Sequence, residues 1–341
     1  MEWLLVAAPL LAEVRNIRRV RARVPTCVYI PARGRDEPLS HTSRYAVVVR
    51  DPDDDCREAA CVKTPAAGKA AAVEYAVNNA RCEYVALFDS DVYFTPEDAE
   101  RLAAAAGSDG VATSYRVVVG KNFWGWVAAA ASDFGYVLMG LYRFIWGGAF
   151  AGRRDVLAKV VQGASGAVSD DMYATARAKA LRVPIRFTYL KLISPPPADS
   201  PRPLFKWLLR QYATAAKLGP PAVKIGLAAT AMWLATWAIY PQTLLIYAAA
   251  GYIRRKALGA PAPPIYIPAA VVAYLYTLAA TALAFFTKEV EWRGRKIKLV
   301  TTPQKERNTE TPPQRVAEKF LKLPIHFNPA ARSSAVQSAR L

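Results

Sequence analysis

The sequence predicts an α/β domain with a mostly parallel sheet and helices on both of its faces, followed by C-terminal transmembrane helices. Along residues 24–190, strand-like and helix-like segments alternate, as a parallel sheet with crossover helices requires. Nearer the C-terminus, two long stretches carry almost no charge. The 341 residues combine 53% hydrophobic content with a net charge of +18, which is unusual for a soluble globule. We therefore expect the apolar and the basic residues to belong to different regions.

The first two predicted strands both end in polar residues. Residues 24–30 lead into Pro31-Ala32-Arg33-Gly34, and residues 45–49 lead into an acidic cluster at positions 51, 53, 54 and 55. A glycine then opens a predicted helix over residues 68–80. In open α/β sheets, ligands bind at the carboxyl ends of the strands. These two strand ends are therefore predicted to face a site.

The third predicted strand, residues 84–88, is an apolar run that stops at Asp89-Ser90-Asp91. Two carboxylates two residues apart, at the end of a buried strand, suit a divalent cation that holds a diphosphate. The alternative is that both carboxylates only cap the next helix. Pro96 and Glu97 already provide that helix with a start, which favours the cation.

Two segments are predicted to cross a membrane. Residues 222–240 contain one charge, Lys224, at an end from which its side chain can reach the headgroups, and residues 264–286 contain none. Between them, residues 242–253 are apolar but short. This piece either prolongs the first helix past Pro241 or lies as a re-entrant or interfacial segment, and the sequence leaves both open.

The N-terminus is predicted to lie in the membrane interface. Its apolar residues 3–12 come before five arginines, whereas a secretory signal peptide carries its positive charge first. Residues 1–23 are therefore expected to form an interfacial or partly inserted helix, with the arginines on anionic headgroups.

Loop charge predicts a multi-pass protein of the cell membrane with a cytoplasmic catalytic domain at residues 24–215. The membrane region would be 216–288, and the basic tail at 289–341 would return to the cytoplasm. Arg254, Arg255 and Lys256 count against this topology, since they would lie outside unless residues 242–253 fold back. Residues 330–341 differ in composition, have the character of a cloning remnant and are assigned no function.

The four cysteines, at positions 27, 56, 61 and 82, form no CxxC pair and have only two histidines for company. A structural zinc site is therefore not expected. Free or buried thiols are the expectation, with a Cys56–Cys61 bridge as the minority reading. The composition, poor in Asn and Gln and rich in Arg, Ala, Tyr and Pro, suits a thermophilic source, in which disulfides are less surprising.

The basic residues cluster beside the apolar spans, where anionic lipid accounts for them. A membrane, and not a nucleic acid, is therefore the predicted partner.

Several segments occur in an order that is typical of one enzyme family. They are IPARG (30–34), GKAAAVEYA (68–76), FDSDV (88–92), WGGAFAGRRDVL (146–157), SDDMYATARAKALR (169–182) and, after the membrane spans, WRGRKIKL (292–299). With these segments the chain resembles the family 2 inverting glycosyltransferases with a GT-A fold. It is most similar to the membrane-anchored branch, which includes ceramide glucosyltransferases, cellulose synthases and dolichyl-phosphate mannose synthases. FDSD alone is a weak signal, and the shared order makes the resemblance specific.

The resemblance implies roles for the acidic pairs. Asp91 is expected to bind Mn²⁺ or Mg²⁺ directly, with Asp89 near the sugar or ribose hydroxyls or holding the metal through water. In the second pair, Asp171 is expected to be the general base that deprotonates the acceptor hydroxyl. Asp170 precedes it, and helix capping is the alternative role for either residue. Gly147 and Gly148 are expected to let the backbone approach the donor sugar or acceptor, unless they form a plain turn.

The resemblance also implies a sugar-nucleotide site. Pro31, Arg33 and either Asp51 or Asp53 would contact base and ribose, and Lys69 would lie near the diphosphate. Lys206 and Trp207 occupy the place of the family's Gln/Arg-x-x-Arg-Trp motif, but Pro203 stands at its first position and a lysine replaces the arginine. Lys206 is expected to meet the diphosphate as a point charge, and Trp207 either stacks on the acceptor or anchors the interface.

The expected reaction is inverting transfer of one hexose, mannose from GDP-mannose by analogy, to a lipid-linked acceptor. The acceptor would be a dolichyl or polyprenyl phosphate or a lipid-linked glycan. Asp171 favours a hydroxyl acceptor, whereas Arg143, Arg153 and Arg154 suit a phosphate. Two alternatives are a UDP-hexose-dependent glycolipid or polysaccharide synthase and a non-catalytic membrane scaffold. Retention of Asp89, Asp91 and Asp171 argues against the scaffold.

Overall fold

The computed structural model describes residues 21–34, 45–239, 243–292 and 295–299. The strands are β1 Thr26–Ala32, β2 Val47–Arg50, β3 Cys61–Lys63, β4 Tyr84–Phe88, β5 Val111–Thr113, β6 Arg116–Val118, β7 Ala149–Arg153, β8 Ile185–Phe187, β9 Leu192–Ser194, β10 Glu289–Trp292 and β11 Arg295–Lys298. The helices are α1 Lys69–Asn79, α2 Pro96–Ala106, α3 Phe123–Tyr142, α4 Arg154–Val161, α5 Asp170–Ala180, α6 Pro201–Leu218, α7 Pro221–Ile239, α8 Thr243–Ala257 and α9 Tyr266–Ala284.

The main sheet has seven strands in the order β3-β2-β1-β4-β7-β5-β8. Its pairs are parallel except where β7 runs antiparallel between β4 and β5. The prediction of a mostly parallel sheet with α/β architecture is therefore confirmed. The reversal of β7 places its first residue, Ala149, opposite Phe88 at the carboxyl end of β4. The segment before β7 thus meets the segment after β4.

The predicted elements of the first half coincide with observed ones. Strand β4 has the predicted bounds, β1 begins and ends two residues later than predicted, and α1 lies within the predicted 68–80. Helix α2 begins with a capping box in which Thr95 and Asp98 bond reciprocally, and Pro96 occupies its first turn. The buried face of α1 consists of small residues, alanines and valines, which lets that helix lie close to the sheet.

The C-terminal helices pack around α3. Trp126 of α3 contacts Tyr266 of α9, and Phe134 of α3 contacts Tyr247 of α8. The predicted crossings at 222–240 and 264–286 coincide with α7 and α9. Within the described residues, α9 is the one helix long and apolar enough to cross a membrane, and 44% of its most apolar window is buried in the protein. The number of crossings therefore stays a prediction.

Residues 242–253 belong to a longer helix than their apolar pattern indicates, because α8 continues to Ala257. Arg254 and Arg255 at its end are buried, and not in an external loop. Both pair with Asp133 of α3, at 3.3 and 2.9 Å. Arg255 also donates to Val118 O in β6 at 2.6 Å. A buried carboxylate on α3, which no local pattern indicates, therefore holds both arginines.

The expectation of free thiols is wrong, because all four cysteines are bonded. Cys27 pairs with Cys82 and Cys56 with Cys61. The first bridge forms because β1 and β4 are neighbours and place Cys27 opposite Val85, three residues after Cys82. The second closes the connection between β2 and β3.

Arg143 ends α3 with φ 47°, and the chain then turns towards Gly147. After α9, strands β10 and β11 pair antiparallel, so the start of the predicted basic tail is a hairpin. The predicted N-terminal helix up to residue 20 and the tail from residue 300 lie outside the described residues.

Candidate active site

Lys69 is the centre of a charged cluster at the carboxyl ends of β1, β2 and β4. Its Nζ lies 2.7 Å from Asp89 Oδ1 and 3.3 Å from Asp170 Oδ2, and it donates to Gly147 O at 3.0 Å. One ammonium at the start of α1 therefore joins the segments after β4, before β7 and at the start of α5. These segments are far apart in sequence.

Burial and charge act in opposite directions within this cluster. Burial raises the pKa of Asp170 to about 6, although Lys69 acts against the shift. Partial burial opposes the charged form of Lys69, but Asp170 and Asp89 outweigh it and raise the pKa of Lys69 above its usual value. Lys69 is thus a fixed cation at neutral pH.

Gly147 and Gly148 are required by close packing at the turn before β7. A Cβ on Gly147 would lie 2.7 Å from Asp170 Oδ2, and one on Gly148 would lie 2.1 Å from the ring of Trp146. Thr113 fixes this turn, because its Oγ1 donates to Ala149 O and accepts from Trp146 N. Glycine is therefore required at both positions, because a side chain would collide with Asp170 in the first case and with Trp146 in the second.

Asp91 lies beside a buried arginine. Arg116 of β6 approaches Asp91 Oδ2 at 3.4 Å, and the guanidinium stands over the rings of Trp146 at 5.7 Å and Trp207 at 5.2 Å. Ser194 Oγ of β9 donates to Asp91 O at 3.0 Å and holds the loop. The side chain of Asp91 is 48% exposed, so it can still accept a ligand.

Asp171 faces a different environment from Asp170. It lines a cavity of about 110 Å³, whose other walls are mainly apolar and aromatic side chains from α3, α6 and α7. Trp146 and Trp207, the two rings that Arg116 contacts, also line this cavity. Ser169 Oγ and Met172 N both donate to Asp171 Oδ1 and orient the carboxylate.

The acidic end of β2 contacts the end of β1 and the start of α1. Asp51 pairs with Arg33 at 2.8 Å and accepts from Gly68 N at 2.8 Å. Pro31 is buried in β1, whereas Asp53 is exposed. Of the two acids predicted for the ribose, Asp51 is the one that the structure brings to Arg33.

The structure does not bring Lys206 to the acidic cluster. Its Nζ points to Glu291 of β10, at 3.2 Å, and both side chains are exposed. Its neighbour on α6, Trp207, turns the other way and is buried. The sequence analysis did not identify Arg116, although this residue, and not Lys206, is the cation beside Asp91 and Trp207. Its one sequence signal is that it is the single charged residue in the stretch 111–119.

The donor set fits a metal ion that is shared with substrate. Within the described ranges, no group of three or more His, Cys, Asp or Glu side chains is close enough to hold an ion by itself. Asp89 and Asp91 provide two carboxylates at the end of β4. Mg²⁺ sites of nucleotide enzymes often use one or two carboxylates together with substrate phosphates. The pair is thus suited to an ion that arrives with a diphosphate.

The chain has weak structural likenesses to several known proteins. A mycobacterial protein is 15% identical and aligns over 61% of this chain and 77% of its own, with a TM-score of 0.34. The synthetase of CMP:2-keto-3-deoxy-manno-octonic acid, complexed with CTP, is 16% identical over 55% of this chain and 99% of its own, with a TM-score of 0.32. Residues 1–349 of S. aureus TarS are 12% identical, over 81% of this chain and 96% of that structure, with a TM-score of 0.31. These scores are too low to assign a fold or a function.

Sequence comparison is more specific. Among curated protein sequences none matches the chain. A family model does match, and its segment includes Asp89, Asp91, Gly147 and Gly148 but ends before Asp170 and Asp171. The part of the chain that is similar to glycosyl transferase family 2 is residues 53–161.

Proposed function

We propose that the chain is a family 2 glycosyltransferase that transfers one hexose from a sugar nucleotide, with inversion, to a lipid-linked acceptor at a membrane. The single observation that carries this proposal is the contact of Lys69 with Asp89, Asp170 and Gly147, next to a cavity that Asp171 lines. It joins the two acidic pairs and the glycine turn, which the resemblance assigns to one reaction.

The donor side is the edge with Arg33, Asp51, Lys69 and the Asp89–Asp91 pair. Lys69 and Arg116 offer positive charge to a diphosphate, and Arg33 and Asp51 offer hydrogen-bonding groups to base or ribose. Mn²⁺ or Mg²⁺, when bound by Asp91 and Asp89, would neutralise charge on the leaving diphosphate. The donor we favour is GDP-mannose, with a UDP-hexose as the alternative.

The acceptor side is the cavity with Asp171. The acceptor oxygen attacks the anomeric carbon from the face opposite the diphosphate, Asp171 takes its proton, and the nucleoside diphosphate leaves with the bonding electrons. Because the cavity walls are mostly apolar, a lipid-linked alcohol suits it. Arg116 contacts the rings of Trp146 and Trp207, which line the cavity, so a dolichyl or polyprenyl phosphate, which needs a cation and no base, is kept as the second acceptor.

The test uses the purified full chain in detergent with Mn²⁺ and a panel of labelled GDP- and UDP-sugars. Each donor is incubated with dolichyl phosphate, with a lipid-linked glycan and without acceptor. We expect labelled lipid with one donor, and loss of that product in Asp91→Ala while the melting temperature stays near that of the parent. If no sugar nucleotide of the panel is bound, hydrolysed or used for transfer, the proposal is overturned.

A further inference from the structure

The exposed large apolar side chains are concentrated in the last three helices. Of the twelve such residues in the described part of the chain, nine lie between residues 225 and 286. Ile225 and Met232 of α7 are 70% and 73% exposed, and Phe286 after α9 is 81% exposed. Soluble proteins rarely expose apolar side chains at such density, so this surface calls for a partner.

Helix α9 lies along the catalytic domain and does not project from it. At its start, Tyr266 OH donates to Asp133 of α3 at 2.7 Å. Its middle contacts α6 through Phe205 and Tyr276, and at its end Lys217 Nζ of α6 donates to Phe285 O at 2.6 Å. Both ends of this helix of nineteen residues are therefore held by the same domain.

Helix α6 cannot accompany α9 through a bilayer. Four cations are spread along it: Arg202, Lys206, Arg210 and Lys217. Each charge at the centre of a membrane costs about 2.5–3.5 kcal/mol or more. Because α9 runs beside this helix, its second half lies at the depth of charged groups, near the surface of a membrane.

Helices α7 and α8 leave α3 and return to it. Near the start of α7, Gly226 O accepts from Tyr142 OH at 2.9 Å. In α8, Tyr247 OH donates to Ala130 O at 3.0 Å, and Arg255 is fully buried against Asp133. From Tyr247, which is held by α3, back to Ile239 the chain can extend about 20 Å at most, at 1.5 Å per helical residue and 3.6 Å per other residue. This length is shorter than the hydrocarbon core of a bilayer, which is about 30 Å thick. The end of α7 therefore cannot lie a full bilayer thickness away from the contact of Tyr247 with α3.

From these contacts we infer that α7, α8 and α9 form a monotopic surface, which enters one leaflet of an anionic bilayer from the catalytic side without crossing it. Lysines flank its apolar residues: Lys224 precedes Ile225, Lys256 follows Ile253, and Lys288 follows Phe286. These cations complement anionic headgroups while the apolar side chains enter the acyl region. The inference rests on the proposed membrane attachment, and it replaces the two crossings predicted from the sequence with none.

The test is the labelling of single added cysteines by a membrane-impermeant maleimide in sealed inverted vesicles, whose cytoplasmic face is outside. The variants are Lys224→Cys, Lys256→Cys and Lys288→Cys, with Asn78→Cys on α1 as the control for the catalytic domain. The parent chain, whose cysteines are bonded, gives the background. We expect all four variants to be labelled equally before detergent is added. If Lys256→Cys is labelled only after detergent, the helices cross and the inference is wrong.

A second measurement identifies the partner. Detergent-free protein is floated with vesicles of phosphatidylcholine alone or with added phosphatidylglycerol. We expect several-fold more protein to float with the anionic vesicles, and Ile225→Ser combined with Met232→Ser to reduce this fraction. An oligomer that floats with neither vesicle would show that a second copy covers the surface and would overturn the inference. Sugar transfer in detergent is tested separately and does not depend on this result.

Discussion

The guanidinium of Arg116 lies 5.2 Å from the ring centroid of Trp207, so a buried cation stands against one of the aromatic walls of the cavity. Arg116 also reaches Asp91, at 3.4 Å. It thus stands between the predicted metal ligand and the predicted acceptor side. Lys206, the residue next to Trp207, points to Glu291 instead.

Arg116→Ala is therefore expected to lower kcat/KM for the donor or a phosphate acceptor. Loss of one charge-assisted hydrogen bond costs about 1.5–3 kcal/mol, which corresponds to roughly 10- to 100-fold. Lys206→Ala is the matched control and should change kcat/KM less than about threefold, because its partner is an exposed glutamate. Steady-state kinetics with each substrate varied in turn would measure both, and a larger effect at Lys206 would contradict the assignment.

Asp171→Asn should lower kcat for a hydroxyl acceptor by about 100-fold or more, the usual contribution of a general base. Donor binding, measured by calorimetry, should change little, because the ion-pair partners of Lys69 are Asp89 and Asp170, whereas Asp171 lines the cavity. Asp170→Asn should instead weaken donor binding, because Asp170 positions Lys69. An unchanged kcat in Asp171→Asn would indicate an acceptor that is already ionised.

The raised pKa of Asp170 predicts a pH effect on stability. Asp170 has a folded-state pKa of about 6, above the ordinary carboxyl value, and Lys69, Asp89 and Asp171 are the charges around it. Between about pH 4 and pH 6 the folded chain therefore holds a proton that the unfolded chain has lost. The free energy of unfolding contributed by this group falls as pH rises through that window. Thermal melts of Asp170→Asn should show a smaller decline than the parent, and an equal or larger decline would contradict the burial assignment.

Removal of Asp133 should destabilise the fold. Asp133→Ala leaves Arg254 and Arg255 buried without their carboxylate, which typically costs about 3–5 kcal/mol. Lys256→Ala, one residue further along α8 at an exposed position, should change stability by no more than about 0.5 kcal/mol. Denaturant unfolding in a mild detergent compares the two, and similar effects would show that the pairs add little.

The two disulfides should differ in their contribution to stability. Chain-entropy estimates give about 4 kcal/mol for the loop closed by Cys27–Cys82, with a separation of 55 residues, and about 2 kcal/mol for Cys56–Cys61, with a separation of 5. Replacing Cys27 and Cys82 by serine should therefore lower the melting temperature more than replacing Cys56 and Cys61. If reductant leaves the melting temperature of the parent unchanged, the bridges are absent in solution.

The sequence predicted the elements that repeat a local pattern. Strand β4, helix α1 and the start of α2 follow from an apolar run, a glycine and a proline with acidic neighbours, and all three are observed. The gathering of Arg33, Asp51 and Asp89 at one edge of the sheet follows from the carboxyl-end rule for parallel strands, whereas a place for Asp170 and Asp171 in the same site was implied by the family resemblance. These inferences need no knowledge of distant contacts.

The features that the sequence did not predict depend on contacts between distant segments. Arg254 and Arg255 read as loop charges because Asp133, their partner, lies more than 120 residues away. Lys206 is predicted from a linear motif, which cannot show which side of α6 faces the cavity, and Arg116 lies outside that motif. The bond between Cys27 and Cys82 depends on the pairing of β1 with β4. In each case the partner is fixed by topology, and the local residues do not reveal it.

Arg143 ends α3 with φ 47°, in a backbone conformation that a glycine would hold without strain. For an L-residue with a side chain the strain is about 1–2 kcal/mol. The side chain is exposed, so packing does not compensate for it. The chain thereby places an exposed arginine, where a glycine would end the helix with less strain, between the cavity residues Tyr142 and Phe144.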